Sequence, residues 1–115
     1  MSDCIFCKIA NGEIPTDLLY EDDEVVAFRD LNPVAPTHVL VVPKRHYVDI
    51  ADGVPGSTVE AMIRAANLIV EREGIRVSGF RYVMNAGADA GQAVNHLHLH
   101  VLGGTRLRND FGKRE

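Results

Sequence analysis

The feature that most constrains this chain is a segment in which histidines alternate with aliphatic residues. It runs His96-Leu97-His98-Leu99-His100-Val101-Leu102. Successive side chains of a β-strand point to opposite faces, so the alternation predicts a strand over 95–102 with its aliphatic face in the core. The imidazoles would form a row on the other face, with Cα spacings of about 6.6–6.8 Å. A merely solvated face would use Thr, Lys or Glu as readily, so the row indicates a functional site.

Two chemistries fit such a row of imidazoles. Alternate histidines on a strand can converge on one zinc ion. An imidazole can also attack phosphorus, because its ordinary pKa of about 6.5 leaves it mostly neutral at pH 7. One ring nitrogen then attacks while the other donates its hydrogen to an acceptor. The flanking imidazoles can donate to phosphate oxygens or to the leaving group.

The remaining sequence predicts an α+β fold on a mainly antiparallel sheet. We expect a short helical turn over 4–10 and further strands over 18–20, 24–29, 38–43 and 80–85. The first two of these strands flank an acidic turn, which favours a hairpin. Four consecutive aliphatic residues in the third indicate a strand that is buried on both faces.

A long helix is predicted between the third and fourth of these strands. Its start has the pattern of a capping box, in which Ser57 caps the Glu60 amide and the Glu60 side chain reaches back. Gly74 is a typical stop just past its end. Apolar residues recur at the helical period and predict one buried stripe: Val59, Met62, Ile63, Ala66, Ile69 and Val70.

Size and charge limit the function classes. The chain has 115 residues, 46% of them hydrophobic, which predicts one domain over 1–115 with 105–115 as a loosely ordered tail. The net charge of −4 argues against broad nucleic-acid binding, which needs a basic excess. The sequence lacks a signal-peptide core and the run of about 20 apolar residues that spans a membrane. We therefore expect a cytoplasmic protein without a membrane partner.

The histidine segment and its flanks resemble the histidine triad (HIT) superfamily, whose motif is His-φ-His-φ-His-φ-φ with φ an apolar residue. Flanking segments are similar to the Hint branch in the same order: Cys4-Ile5-Phe6-Cys7-Lys8-Ile9, Phe28-Arg29-Asp30-Leu31, Ala35-Pro36-Thr37-His38, Pro43-Lys44, Asn85-Ala86-Gly87, Gly91-Gln92 and Val101-Leu102-Gly103-Gly104. The closing Gly-Gly, where the fragile-histidine branch usually has Pro-Arg, favours Hint. The resemblance implies a five-stranded antiparallel sheet with one long and one short helix, and a homodimer with a continuous sheet.

The resemblance also implies an activity. Hint proteins of this type are purine nucleoside phosphoramidases, which cleave the P–N bond of nucleoside 5′-phosphoramidates through a covalent nucleotidyl-histidine and release the nucleoside monophosphate. By similarity, His98 is the nucleophile, and His100 contacts the phosphate and helps to protonate the leaving group. His38 completes the catalytic cluster, and no organic cofactor is implied.

Substrate-binding positions are also implied by similarity. Asp30 matches the ribose ligand, since a carboxylate can accept from both hydroxyls. Phe28 and Leu31 match positions that line the base pocket. The positions that match phosphate contacts, or that let backbone amides approach the phosphate, are Asn85, Gly87, Gly91 and Gln92.

Two positions depart from the Hint pattern. Ala93 stands where many members carry a serine that touches the phosphate or the leaving group. The tail has no tryptophan, and its aromatic residue is Phe111. Three rival interpretations stay open: a dinucleoside polyphosphate hydrolase, a nucleotide- or partner-binding protein with little turnover, and a triad that is itself a zinc hydrolase centre.

A Cys-x-x-Cys pair precedes the first predicted strand. Cys4 and Cys7 have the spacing of half a zinc site, and a redox use needs a thioredoxin-like βαβ context that the sequence lacks. Several bacterial HIT proteins with this pair use two histidines that match His46 and His96. The resemblance therefore implies a closed structural zinc set of these four residues, which leaves His98 for catalysis.

Overall fold

A five-stranded antiparallel sheet carries one helix on each face in the computed structural model, which describes residues 4–114. The elements are α1 (Ile5–Ala10), β1 (Leu18–Glu21), β2 (Val25–Arg29), β3 (Thr37–Pro43), α2 (Gly56–Glu73), β4 (Phe80–Val83), a 3-10 turn (Ala88–Ala90) and β5 (Leu99–Gly103). The strand order is β1-β2-β3-β5-β4. The predicted fold class, with one long and one short helix, is confirmed, and the homodimer stays a prediction.

β3 is the central strand and is buried along its whole length, as its aliphatic run predicts. Val39 and Val41 join the main core against α2. Leu40 and Val42 join a smaller cluster beneath α1. The same alternation places His38 on the α1 face, and this face carries the candidate site.

The predicted hairpin of β1 and β2 is confirmed, and its acidic turn has a local cause. Asp22 Oδ1 accepts the N–H groups of Glu24 at 2.7 Å and Val25 at 2.9 Å. The hydroxyl of Tyr20 donates to Asp22 Oδ2 at 2.7 Å. One carboxylate thus satisfies the turn amides that the strands cannot pair.

The predicted capping box at the start of α2 is wrong. The helix begins at Gly56, so Ser57 lies inside its first turn, and no side chain makes a capping hydrogen bond. Pro55 is the N-cap instead, with an extended backbone, and its carbonyl accepts the N–H of Thr58 at 3.0 Å. Because the fixed φ of Pro55 sets the start of the helix, the helix begins one residue before Ser57, the predicted cap.

The predicted stripe of α2 is largely confirmed. Val59 and Ile63 are only half-buried at its edge, and Gly74 ends the helix with a left-handed φ of 68°. The buried residues of the helix are Thr58, Ala61, Met62, Ala65, Ala66, Ile69 and Val70. No helix within residues 4–114 is both long and apolar enough to cross a membrane.

The last strand is shorter than the predicted 95–102. Pairing with β3 ends where Val41 faces Leu99, and β4 likewise ends at Val83. The N–H of Leu97 donates to the carbonyl of Tyr47 at 2.7 Å, so it is not available for the ladder. The first two histidines of the triad therefore precede the strand, although the aliphatic residue between them still packs in the α2 core.

Candidate active site and metal centre

The triad histidines divide between two groups of ligand-type side chains. The cysteine–histidine cluster consists of Cys4, Cys7, His46 and His96. The proton-sharing cluster consists of Asp30, His38 and His100. His98 lies between the two groups, because its ring contacts His100 at 5.0 Å and both His96 and His98 contact the ring of Phe6.

The atoms of the cysteine–histidine cluster have the spacing of a tetrahedral metal site. His96 Nδ1 lies 3.2 Å from Cys4 Sγ and 3.4 Å from Cys7 Sγ. His46 Nδ1 lies 3.2 Å from Cys7 Sγ and 3.1 Å from His96 Nδ1. Zinc–ligand distances imply separations of about 3.3 Å between two nitrogen ligands and about 3.6 Å between a nitrogen and a sulfur ligand of one tetrahedron, within a few tenths of an ångström of the distances found here. These four residues can therefore hold a metal ion, and thiolate with imidazole is a donor set that suits zinc.

Backbone contacts orient the ligands of this cluster. The Nε2–H of His96 donates to the carbonyl of Pro43 at 2.9 Å, which leaves the lone pair on Nδ1, facing the cysteines. His96 is 0% exposed, and this burial lowers its pKa, so the imidazole is held in the neutral form that binds metals. Helix α1 brings the cysteines together, with the N–H of Cys7 directed at Cys4 Sγ at 3.4 Å.

The tautomers of the second cluster follow from one backbone amide. The N–H of Val34 donates to His38 Nδ1 at 3.1 Å, so the hydrogen of His38 is on Nε2. That hydrogen is donated to His100 Nδ1 at 2.9 Å, with Asp30 Oδ2 at 3.4 Å from the same nitrogen. His100 therefore carries its own hydrogen on Nε2. Burial, with the neighbouring histidines, lowers the pKa of His100 to about 4.

This arrangement argues against a metal in the proton-sharing cluster. A metal between the three residues would need the lone pair of His38 Nε2, but the amide of Val34 fixes the hydrogen there. The triad also does not converge on one point, because His96 faces the cysteines while His100 faces His38. The interpretation of the triad as a zinc hydrolase centre is thus disfavoured by its hydrogen bonds.

His98 is buried and has a fixed tautomer. Its Nδ1–H donates to the carbonyl of His96 at 2.7 Å, which leaves the lone pair on Nε2. The ring of Phe6 packs edge-on against it with centroids 5.1 Å apart. Phe6 also contacts Phe28 at 5.6 Å and His96 at 5.9 Å. No sequence pattern assigns Phe6 a role, although an aromatic residue between two candidate ligand cysteines could have marked it.

The residues expected around the nucleoside are only partly together. Asp30 is half-buried, its N–H donates to the carbonyl of His38 at 3.0 Å, and its Oδ1 accepts from the N–H of Asn32 at 2.8 Å. Phe28 is buried beneath Phe6, whereas Leu31 is 95% exposed. The structure thus brings Asp30 to His38 and His100, whereas the two apolar residues differ in exposure.

The side chain of Gln92 is engaged with its own loop. Its Oε1 accepts the N–H of Gly87 at 2.8 Å, and its Nε2 donates to the carbonyls of Val48 at 2.6 Å and Val94 at 3.1 Å. Gly87 and Gly91 have φ values of 86° and 84°, which favour glycine. A phosphate contact by Gln92 stays a prediction, and in this structure its amide holds the loop.

The two remaining predicted phosphate contacts, Asn85 and Ala93, lie in the segment between β4 and β5. Val83, the last residue of β4, pairs with His100, and Asn85 follows it by two residues. Asn85 is half-buried and Ala93 is exposed at the other end of the loop. Their contact with a phosphate stays a prediction.

Comparisons with known proteins show which family the chain is similar to. The family model described as HIT domain matches residues 11–107. A purine nucleoside phosphoramidase from Escherichia coli is 45% identical over 106 residues, covering 90% of this chain and 88% of that protein. The solved structure of a histidine triad protein from Clostridium difficile has a TM-score of 0.88 and 52% identity, covering 95% of this chain and 96% of the other. A HIT family hydrolase from Clostridium thermocellum has a TM-score of 0.88 and 40% identity, covering 96% and 97%.

Proposed function

We propose, from the premise that this chain belongs to the HIT domain family, that it is a purine nucleoside phosphoramidase with His98 as its nucleophile. Its relatives support a nucleotide hydrolase. The observation that carries the finer proposal is the hydrogen bond from His98 Nδ1–H to the carbonyl of His96 at 2.7 Å. It leaves a lone pair on Nε2 of a buried imidazole, which is the form that attacks phosphorus.

In the first step, His98 Nε2 attacks the α-phosphorus of the substrate. An N–P bond to His98 forms, the P–N bond to the amine breaks, and the departing nitrogen takes up a proton from solvent. In the second step, water attacks the phosphorus and releases a proton to solvent, while the N–P bond breaks and its electron pair returns to His98 Nε2. The nucleoside monophosphate is released, and one water is consumed overall.

His100 has a separate role in this proposal. With a pKa of about 4 it is neutral near pH 7, and its hydrogen is on Nε2 because Nδ1 accepts from His38. We assign to it a hydrogen bond to the charge that develops on the phosphate or the leaving nitrogen. His38 and the amide of Val34 fix this hydrogen in place.

The nucleoside part of the substrate would lie beside the same cluster. Asp30 would accept both ribose hydroxyls, and the backbone amides of the loop that contains Gly87 and Gly91 would approach the phosphate. Phe28 and Leu31 would have to act as base-pocket residues with one buried and one exposed side chain. Contact with apolar walls gives weak selectivity among purines, so we propose AMP- and GMP-type substrates.

We also propose that the cysteine–histidine cluster holds structural zinc. When bound, zinc would supply four-ligand crosslinking between α1, the segment after β3 and the segment before β5. Metal analysis of protein purified without added chelator should find one zinc per chain in wild type. The variant His46→Ala should contain less, because it keeps only three of the four ligands. Equal metal content in both would contradict the proposed set.

We further propose a cytoplasmic homodimer with a continuous sheet. In the described residues β1 and β4 are the edge strands, and such a dimer needs an open edge. Light scattering after size exclusion should give twice the chain mass, and a monomer at micromolar concentration would contradict this proposal.

The function is tested by hydrolysis of adenosine 5′-phosphoramidate with wild type and His98→Ala, each with and without a chelator. We expect turnover in wild type, its loss in His98→Ala, and its survival under chelation. Unchanged turnover in His98→Ala would overturn the mechanism. Preference for a dinucleoside polyphosphate in competition would indicate that rival hydrolase, and AMP binding without turnover would indicate a binding protein.

A further inference from the structure

We infer that Glu73, the last residue of α2, is a positioning residue for the nucleotide site, because it holds the two strand ends that lead into Asp30 and His38. The inference rests on the proposed function, in which Asp30 binds ribose and His38 orients His100. Glu73 reaches these strands from the α2 face, whereas both site residues leave from the α1 face.

The carboxylate of Glu73 joins both strands. Arg29 donates to it with both terminal nitrogens, from Nη1 to Oε1 at 3.0 Å and from Nη2 to Oε2 at 2.9 Å. Thr37 Oγ1 donates to Oε1 at 3.0 Å. Paired guanidinium bonds to a carboxylate fix direction as well as distance. One side chain therefore ties the end of β2 to the start of β3.

Each residue that Glu73 holds directly precedes a site residue. Arg29 precedes Asp30, and Thr37 precedes His38. Because successive side chains leave a strand on opposite faces, fixing one on the α2 face fixes where the next one points on the α1 face. We call Glu73 and its two partners, Arg29 and Thr37, the clamp. The clamp thus lies on one face of these strand ends and the site lies on the other.

The clamp lies where the ladder would otherwise loosen. The loop over 30–36 between β2 and β3 contains Pro33 and Pro36 and has no regular structure. The last backbone bond before this loop runs from the N–H of Asp30 to the carbonyl of His38 at 3.0 Å. Terminal pairs of a ladder open most easily, so a side-chain link beside this pair limits its opening.

Helix stability does not account for a carboxylate at this position. Negative charge at the C-terminal end of a helix is unfavourable, because that end carries partial negative charge. The bond from Arg29 holds the pKa of Glu73 below its ordinary value, and the carboxylate raises the pKa of Arg29 in turn. The ionised pair therefore gains from its contact with the strands and not from the helix.

The test compares AMP with 2′-deoxy-AMP by titration calorimetry in wild type, Glu73→Gln and a matched control, Glu71→Gln. Glu71 lies on the same helix, is exposed, and pairs only loosely with Arg76 at 3.7 Å. We expect wild type and Glu71→Gln to prefer AMP by about tenfold, since the 2′-hydroxyl bonds a carboxylate. In Glu73→Gln this preference should fall to about threefold or less. If Glu73 had only a structural role, Glu73→Gln would weaken the binding of both nucleotides equally and would leave the ratio of their affinities unchanged.

A second pair of variants keeps the test independent of whether Glu73→Gln folds. Thr37→Val removes one bond of the clamp, whereas Thr37→Ser keeps the hydroxyl and should restore the preference for AMP. If Glu73→Gln and Thr37→Val both prefer AMP over 2′-deoxy-AMP as strongly as wild type does, the inference is overturned.

Hydrogen exchange, which needs no bound nucleotide, separates this inference from the proposed function. If wild type binds neither nucleotide, the proposed function fails, and hydrogen exchange decides the clamp alone. The amide of Asp30 should then exchange about tenfold faster in Glu73→Gln than in Glu71→Gln, because its bond to His38 opens more often. Equal exchange in the two variants would contradict the clamp.

Discussion

Replacing Phe6 with leucine should destabilise the protein and misplace His98, the proposed nucleophile. The ring is buried and makes three edge-on contacts, with Phe28 at 5.6 Å, His96 at 5.9 Å and His98 at 5.1 Å. Each such contact between aromatic rings contributes about 0.5–1.5 kcal/mol beyond its buried area. Because two of the partners are imidazoles, we take the lower part of this range and expect a loss of about 2 kcal/mol.

The assay is urea unfolding of metal-loaded protein at one fixed protein concentration, with Phe111→Leu as the matched control. Phe111 is 92% exposed, so the same change there should cost within about 0.5 kcal/mol of zero. In steady-state kinetics, Phe6→Leu should lower kcat more than it changes KM, because the ring of His98 loses its lateral support. A loss of stability no larger than that of Phe111→Leu, with unchanged kcat, would refute this reasoning.

Three further predictions concern pH, the loop and the metal. Burial lowers the pKa of His100 to about 4 in the folded protein, against about 6.5 in the unfolded chain. Between these two pH values the unfolded state binds more protons, so the free energy of unfolding decreases as the pH falls. Urea unfolding should show a larger loss from pH 7 to pH 5 in wild type than in His100→Asn, and equal losses would count against it. Gln92→Glu should cost about 1–3 kcal/mol in the same assay, because a carboxylate would face two carbonyl oxygens, and an unchanged midpoint would exclude this role. A chelator should lower the Tm of wild type more than that of His46→Ala, and a wild-type Tm that does not move would argue against structural zinc.

Local periodicity explains what could be predicted of the fold. The alternation through β3 and the triad assigns each side chain to a face without any knowledge of its partners. Leu40 and Val41 accordingly lie in different clusters, and Leu99 packs in the α2 core. The β1–β2 hairpin likewise depends on a carboxylate within the turn itself. These features are encoded over a few neighbouring residues.

Features set by distant partners could not be predicted in the same way. The start of β5 depends on the bond from Leu97 to Tyr47, and the start of α2 depends on the geometry of Pro55. The role of Gln92 depends on carbonyl groups at Val48 and Val94, of which the first is 44 positions away. No local pattern reports such contacts.

The candidate site shows the same division. The motif marks His98 and His100, and the bond that sets the tautomer of His98 lies within the motif, at the carbonyl of His96. The tautomer of His100 instead depends on the amide of Val34 and on a bond across 62 positions to His38. The cysteine–histidine set was implied by resemblance, and the structure brings its members together. Glu73 carries no motif, because its partners on β2 and β3 are known only from the folded chain.

The central claim, that His98 forms a covalent bond to phosphorus, is tested most directly by trapping that bond. Wild-type protein mixed with excess adenosine 5′-phosphoramidate should be quenched within the first turnovers and weighed intact by mass spectrometry. We predict a fraction of chains heavier by one adenylyl group, with the added mass on a peptide containing His98 and absent in His98→Ala. Turnover without an adduct at any quench time, or an adduct that persists in His98→Ala, would contradict the account.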